Sequence, residues 1–267
     1  GRGNHHYAVN ATALILGVRM SNESRLKNHI NSQNCGINQL CLPYTLDDSS
    51  MNQLDSIIER KRPYQRGETL FRANEPLVSL YAVRSGSLKS YMLNDAGEMQ
   101  ITAFHLPGDL IGFSSIGQAY YQGYAEALET SMVCEIPYQN LEELSGKLPS
   151  LRRQIMRLMS DEINADKRML GLVTSRSAEA RVATFLIELS SRFHKRGFSS
   201  TEYRLSMTRS EIGNYLGLTV ATVSRLLGKF QKEQLIEVNG RFVKLLQTNQ
   251  ICEVAGLSPV PCQLKQA

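Results

Sequence analysis

The sequence has no tryptophan, only 8 prolines in 267 residues, and five cysteines, an odd number scattered along the chain. So little proline, beside 19 glycines, excludes a collagen-like or low-complexity chain. Five dispersed cysteines argue against a secreted disulfide framework. No apolar run approaches the roughly 18 residues needed to span a bilayer. The best candidate, Ala11 to Val18, is too short and has no clear cleavage site for a signal peptide. What is present is ordinary: 42% hydrophobic and 21% charged residues, enough for one large or two modest domains. The expectation is a soluble, cytoplasmic chain with no membrane partner.

The net charge of +5 is unevenly spread. Ser175 to Leu245 holds 12 Lys plus Arg against 6 Asp plus Glu, or +6, leaving 18 against 19, or −1, elsewhere. A basic C-terminal module suits a polyanion partner, and a solvated basic face would give the same count.

Residues 1–19 look unlike the rest and precede a plausible start at Met20, so they are set aside as a leader. A segment with Cys35 and Cys41 follows, then a helical pattern from Leu46 to Glu59 with Met51, Leu54, Ile57 and Ile58 on one face. From Arg62 the period shortens. β-rich runs at 69–71, 79–83, 88–92 and 100–104 alternate with Gly67, Gly86, Gly97 and Gly108. That rhythm predicts an antiparallel barrel or roll ending near Ile136. A long helix is expected from about Ser150 to Val173. Met156, Met159, Ile163, Asp166, Leu170 and Val173 follow at spacings of 3, 4, 3, 4 and 3, a heptad seam with one carboxylate in it. The seam packs either on its own domain or on a second copy. In the second case Asp166 meets its twin, and like charges in a poorly solvated place repel, making dimerisation weak and switchable.

The densest signal lies between Met207 and Phe230. Thr208-Arg209-Ser210-Glu211 is a capping box, followed by a short helix, Ile212 to Leu216, and a Gly217-Leu218 turn. Thr219 is a natural N-cap for a second helix, Val220 to Gln231. This is a helix-turn-helix, whose second helix enters the major groove. Asn239-Gly240, between Ile236-Glu237-Val238 and Arg241-Phe242-Val243, predicts a hairpin wing with a type I′ turn. On the reading helix Val220, Ala221, Ser224 and Arg225 form one stripe. Arg225 can donate two hydrogen bonds to a guanine and Ser224 can reach a base edge or phosphate. Arg209, Lys229 and Lys232 suit phosphates.

Roll, seam helix and winged helix-turn-helix, in that order, resemble the CRP/FNR family of bacterial regulators, on its oxygen-responsive branch. The resemblance covers about His29 to Gly256. It rests on Cys35 to Pro43, Ser79 to Gly86, Gln100-Ile101-Thr102, Ala127 to Pro137 and Gly213 to Val220. It implies an α+β architecture: a leader or disordered segment (1–28), a cysteine segment with a cyclic-nucleotide-binding-like β-roll (29–149), a dimerisation helix (150–174), a winged helix-turn-helix (175–256) and a tail (257–267). It also implies a homodimer on palindromic double-stranded promoter DNA that recruits RNA polymerase. The Arg-Ser pair with which cyclic-AMP sensors cradle phosphate is missing; the stretch reads Gln122-Gly123-Tyr124-Ala125-Glu126-Ala127, so cyclic AMP is not expected.

The family branch holds a [4Fe–4S] cluster on four cysteines. Cys35, Cys41 and Cys134 match three of them, and Ser32 stands at the fourth, with Ser32 or His29 as the candidate substitute. The alternative is a regulator of the same fold without a cluster. Asp166 matches an Asp that in the family keeps the cluster-free protein monomeric. Ala221 replaces a Glu that accepts from cytosine N4, which predicts relaxed or altered half-site preference with phosphate-driven affinity kept. An enzyme is not expected: Cys35 and Cys41 are not a C-x-x-C pair, and no His/Asp constellation supports a low-pKa thiol.

Overall fold

The computed structural model describes residues 41–257 except positions 44 and 61. The candidate ligands His29, Ser32 and Cys35, the leader, and all but the first residue of the tail lie outside the described residues.

Helix α1 is Asp48–Ile57, started by Asp47, whose carboxylate accepts from the Ser50 N–H at 2.7 Å. It is shorter than its sequence pattern. Ile58 turns extended and the chain leaves as β1 (Glu59–Arg60), where ladder hydrogen bonds replace helical ones. The roll follows: β2 (Thr69–Phe71), β3 (Ser79–Ser85), β4 (Leu88–Leu93), β5 (Met99–His105), β6 (Leu110–Ile111), β7 (Tyr124–Ala127) and β8 (Met132–Pro137). They form two four-stranded sheets, β1-β8-β3-β6 and β2-β7-β4-β5, with antiparallel pairing throughout. Strands β1, β6 and β7 were not visible in the sequence pattern; at two to four residues they are too short to show a period.

Strand alternation divides the burial. From β3, Tyr81 and Val83 face the roll interior with Phe71, Leu88, Tyr121 and Val133. Leu80 and Ala82 face the other way, into a second cluster with Cys41, Leu42, Leu54, Cys134, Ile136, Leu141 and Leu151. Helix α2 (Tyr138–Lys147) and the start of α3 (Pro149–Ser175) close that cluster. Each fully buried Leu or Ile there contributes about 2 kcal/mol.

The C-terminal half contains α4 (Ala178–Lys195), β9 (Glu202–Arg204), α5 (Arg209–Leu216), α6 (Val220–Lys232), β10 (Ile236–Asn239), β11 (Phe242–Leu245) and α7 (Thr248–Ala255), the small sheet running β10-β11-β9. The wing turn differs from expectation. Asn239 pairs with Phe242, so Gly240 and Arg241 are the central residues, and only Gly240 has positive φ (61°). A type I′ turn needs both positive; one glycine at the first position fits type II′. Cys252 of α7 is buried in the core of this half, beside Ile251 and Ala255.

Candidate nucleic-acid interface and its control elements

The helix-turn-helix is built by local chemistry. The Thr208 N–H donates to Glu211 Oε1 (2.9 Å) and the Glu211 N–H to Thr208 Oγ1 (3.1 Å), a reciprocal box that starts α5. Gly217, at φ 70°, ends it. The turn is tight enough that a Cβ on Gly213 would lie 2.6 Å from the Leu218 carbonyl oxygen. Thr219 then accepts the Thr222 N–H at 3.1 Å and begins α6. Val223, Leu226, Leu227 and Phe230 bury one side of α6, which leaves Val220, Ala221 and Arg225 exposed and Ser224 half-buried on the other. Thr219 is exposed at the entrance of this stripe and Arg209 half-buried at the start of α5. Lys229, expected on phosphate, is bonded to Glu179 at 3.0 Å and lies 3.9 Å from Glu233, so both carboxylates compete with a phosphate for its ammonium.

The roll grips this module through contacts invisible to a local reading. Lys89 of β4 reaches Glu211 at 2.9 Å and Glu126 at 3.2 Å, and Arg66 stands 3.7 Å from the other Glu211 oxygen. Burial opposes the charge of Lys89, but its bonds to Glu211 and Glu126 prevail and hold the ammonium above its ordinary value. Burial likewise opposes the Glu211 carboxylate, and its bonds to Thr208 and Lys89 keep it below the usual range. Asn214 of α5 completes the edge of β5: its Oδ1 accepts the Ile101 N–H at 2.7 Å and its Nδ2 donates to the Met99 carbonyl at 2.8 Å. Ser87 donates to Ser206 at 2.6 Å. Asp109 takes Arg192 at 2.6 Å and Arg196 at 3.0 Å. Phe104 of β5 meets Tyr215 edge-on, ring centroids 4.9 Å apart. None of Lys89, Asp109 and Asn214 was singled out in the sequence. Their partners across the two halves are 83 to 122 residues away, beyond any local pattern.

The seam on α3 has two faces. Met156 (63% exposed), Ile163 (54%) and Leu170 (66%) recur every seven residues as an uncovered apolar stripe, with Asp166 exposed beside them. Met159 is half-buried against the cluster that holds Cys41 and Cys134. Loss of part of its surrounding water pushes the carboxyl of the otherwise exposed Asp166 up, and burial with the charges of Asp166 and Asp109 pushes Glu162 up to about 7.

Of the expected cluster ligands, the structure brings Cys41 and Cys134 into one apolar cluster, both as buried thiols outside any disulfide. Arg60 is the direct cross-strand partner of Cys134, and its Nε is buried without a hydrogen-bond partner. The roll interior, where a cyclic nucleotide would sit, is filled by aromatic rings: Phe71 stacks on Tyr121 at 3.9 Å and lies 6.0 Å from Tyr81. His105 is buried beside Ser90 at 2.6 Å, and burial lowers it to about 4, so it is a neutral structural side chain.

Comparison with known proteins agrees with this architecture. A model of the cyclic nucleotide-binding domain family matches residues 61–147, and one of the Crp-like helix-turn-helix domain matches 180–254. The fumarate and nitrate reduction regulatory protein of Vibrio cholerae serotype O1 is 56% identical over 229 residues, 86% of this chain and 92% of that one. Its Escherichia coli K12 counterpart is 54% identical over 227 residues, 85% and 91% of the two chains. The solved structure of FixK2 from Bradyrhizobium japonicum superposes with a TM-score of 0.70 at 29% identity, covering 76% of this chain and 99% of that one. Among the described residues no helix is long and apolar enough to cross a membrane. The chain belongs to the CRP/FNR family of DNA-binding transcriptional regulators, as a member of the fumarate and nitrate reduction regulator type, and not to a family of enzymes.

Proposed function

We propose that this regulator works in the cytoplasm as a homodimer on palindromic promoter DNA, recruits RNA polymerase there, and couples binding to oxygen or redox state through an iron–sulfur cluster. The observation that carries the DNA-reading part is the exposed stripe of α6, presented by a capped, glycine-tight turn. Arg225 is placed for a guanine and Ser224 for a base edge or phosphate. Ala221 adds only a methyl contact, so half-site preference is relaxed. Arg209 and Thr219 flank the stripe where phosphates run, and Lys229 joins them on release from Glu179. The second copy covers the stripe of Met156, Ile163 and Leu170, with Asp166 opposing its twin until the seam is drawn together.

For the cluster, the donor set supports the reading. Buried thiols at Cys41 and Cys134 are soft ligands on one wall, and the Arg60 Nε is a spare donor for a sulfur-rich anionic group. Cys35 supplies the third thiolate, with Ser32 or His29 at the fourth position. Bound, the group supplies an oxygen-labile redox centre; the chain supplies its thiolates and the wall of α3. A cyclic nucleotide is disfavoured because aromatic rings occupy the roll and the carboxylate of Glu126 is committed to Lys89.

The test is an anaerobic ultraviolet–visible spectrum with iron and sulfide counts on reconstituted protein, before and after air, beside binding to a palindromic duplex. About four irons per chain, brown absorbance lost in air and binding lost with it is the expected result. Colourless, iron-free protein that binds DNA as a dimer overturns the sensing part and leaves a clusterless regulator. Arg225→Ala checks the reading part, with an expected loss of about 1–3 kcal/mol of base discrimination.

A further inference from the structure

Among the described residues, helix α3 has one buried polar side chain on its inner face. Gln154 is 4% exposed among Leu151, Ile155 and Leu158, and its Nε2 donates to the backbone carbonyl of Cys41 at 2.9 Å, across 113 residues of chain. A buried amide in an apolar face is costly unless bonded, and a leucine would fill the space more cheaply. Its position is what the bond specifies: a single buried polar pair fixes one register between two packed elements where apolar contacts tolerate several. The carbonyl it holds belongs to a cysteine, and the residue two places on, Met156, opens the exposed stripe. Two residues on a helix are about 200° of rotation, so the bond and the stripe lie on opposite sides of the same turn.

We infer that Gln154 is a positioning residue that ties the Cys41 ligand segment to the dimerisation helix, so that the state of the sulfur site is delivered to the Met156–Ile163–Leu170 stripe through one hydrogen bond. This rests on the reading of Cys41 as a cluster ligand. Leucine packing alone would allow the Cys41 segment to shift over the helix without moving it. The amide–carbonyl bond makes the two move together.

The test uses the full chain carrying Gln154→Leu, with Gln154→Met as the second variant should the first fail to fold by circular dichroism. In cluster-free protein, iodoacetamide labelling followed by mass spectrometry should show Cys41 modified about tenfold faster than in wild type, with Cys134 unchanged. Tenfold is the loss of a tie worth about 1.4 kcal/mol. In anaerobically reconstituted protein, sedimentation should show the ratio of dimer dissociation constants with and without cluster falling at least fivefold, while iron content and spectrum stay as in wild type. Labelling at the wild-type rate, or faster labelling with an unchanged ratio, overturns the inference. Wild-type protein that takes up no iron defeats the cluster reading instead, and the labelling arm then judges the Gln154 tie by itself.

Discussion

Replacing Lys89 by methionine removes the cation between two carboxylates and keeps most of the stem. Lys89 and Glu211 side chains are 11% and 12% exposed, and Glu126 is 22% exposed, so the charges left behind are poorly solvated. Breaking a buried pair from one side costs about 3–5 kcal/mol. The lower end applies here, about 3 kcal/mol, because Arg66 remains 3.7 Å from Glu211. Guanidinium unfolding measures it, and the cycle with Glu211→Gln isolates the pair, with an expected coupling of about 1–2 kcal/mol. The pH dependence follows from the signs. Glu211 is held below its ordinary value, so its share is present above that value and lost as pH falls through the folded one. Lys89 is held above its ordinary value, so its share persists through neutral pH and is lost only as pH rises past the folded value. The methionine penalty should therefore be full near pH 7 and shrink in acid. A Lys89→Met protein within 0.5 kcal/mol of wild type at pH 7, about the scatter of a surface substitution, refutes the argument that this clasp holds the reading module on the roll.

Asp166→Ala should dimerise without a cluster; equal monomer fractions by sedimentation for the variant and wild type, both cluster-free, would sink the repulsion argument. Ala221→Glu should add about 1–3 kcal/mol of discrimination at the matching base pair of the half-site, measured by competition between duplexes, and a gain of nothing counts against the relaxed-preference reading. Glu162, raised from 4.5 to about 7, binds its proton more readily folded than unfolded, so it makes stability fall as pH rises across that window. Glu162→Gln should flatten that part of the stability–pH curve, and a curve that keeps its slope places the titration elsewhere.

What could be read from the sequence was whatever is encoded within a few residues. Thr208 and Glu211 are three apart, Gly217 ends one helix, Thr219 starts the next, and the stripe of α6 follows from its 3.6-residue period. The apolar heptad spacing on α3 was legible for the same reason. The sequence pattern could not say that Met159 turns inward while Met156, Ile163 and Leu170 stay uncovered, because heptad spacing fits a neighbour within the chain as well as a second copy. The wing was found but its turn was misread, since Asn-Gly names a turn without fixing which two residues occupy its centre.

By itself, then, the sequence determined the order of roll, helix and winged module, the caps of α5 and α6, and which residues of α6 stay on its uncovered side. Tertiary structure alone decided that the capping-box Glu211 is also the anchor for Lys89, that Asn214 completes the β5 edge, and that Gln154 holds Cys41. The physical reason is range. Caps and periods are set by neighbours a turn away, whereas a buried ion pair or amide is defined by a partner about a hundred residues distant, whose approach only the packed core establishes.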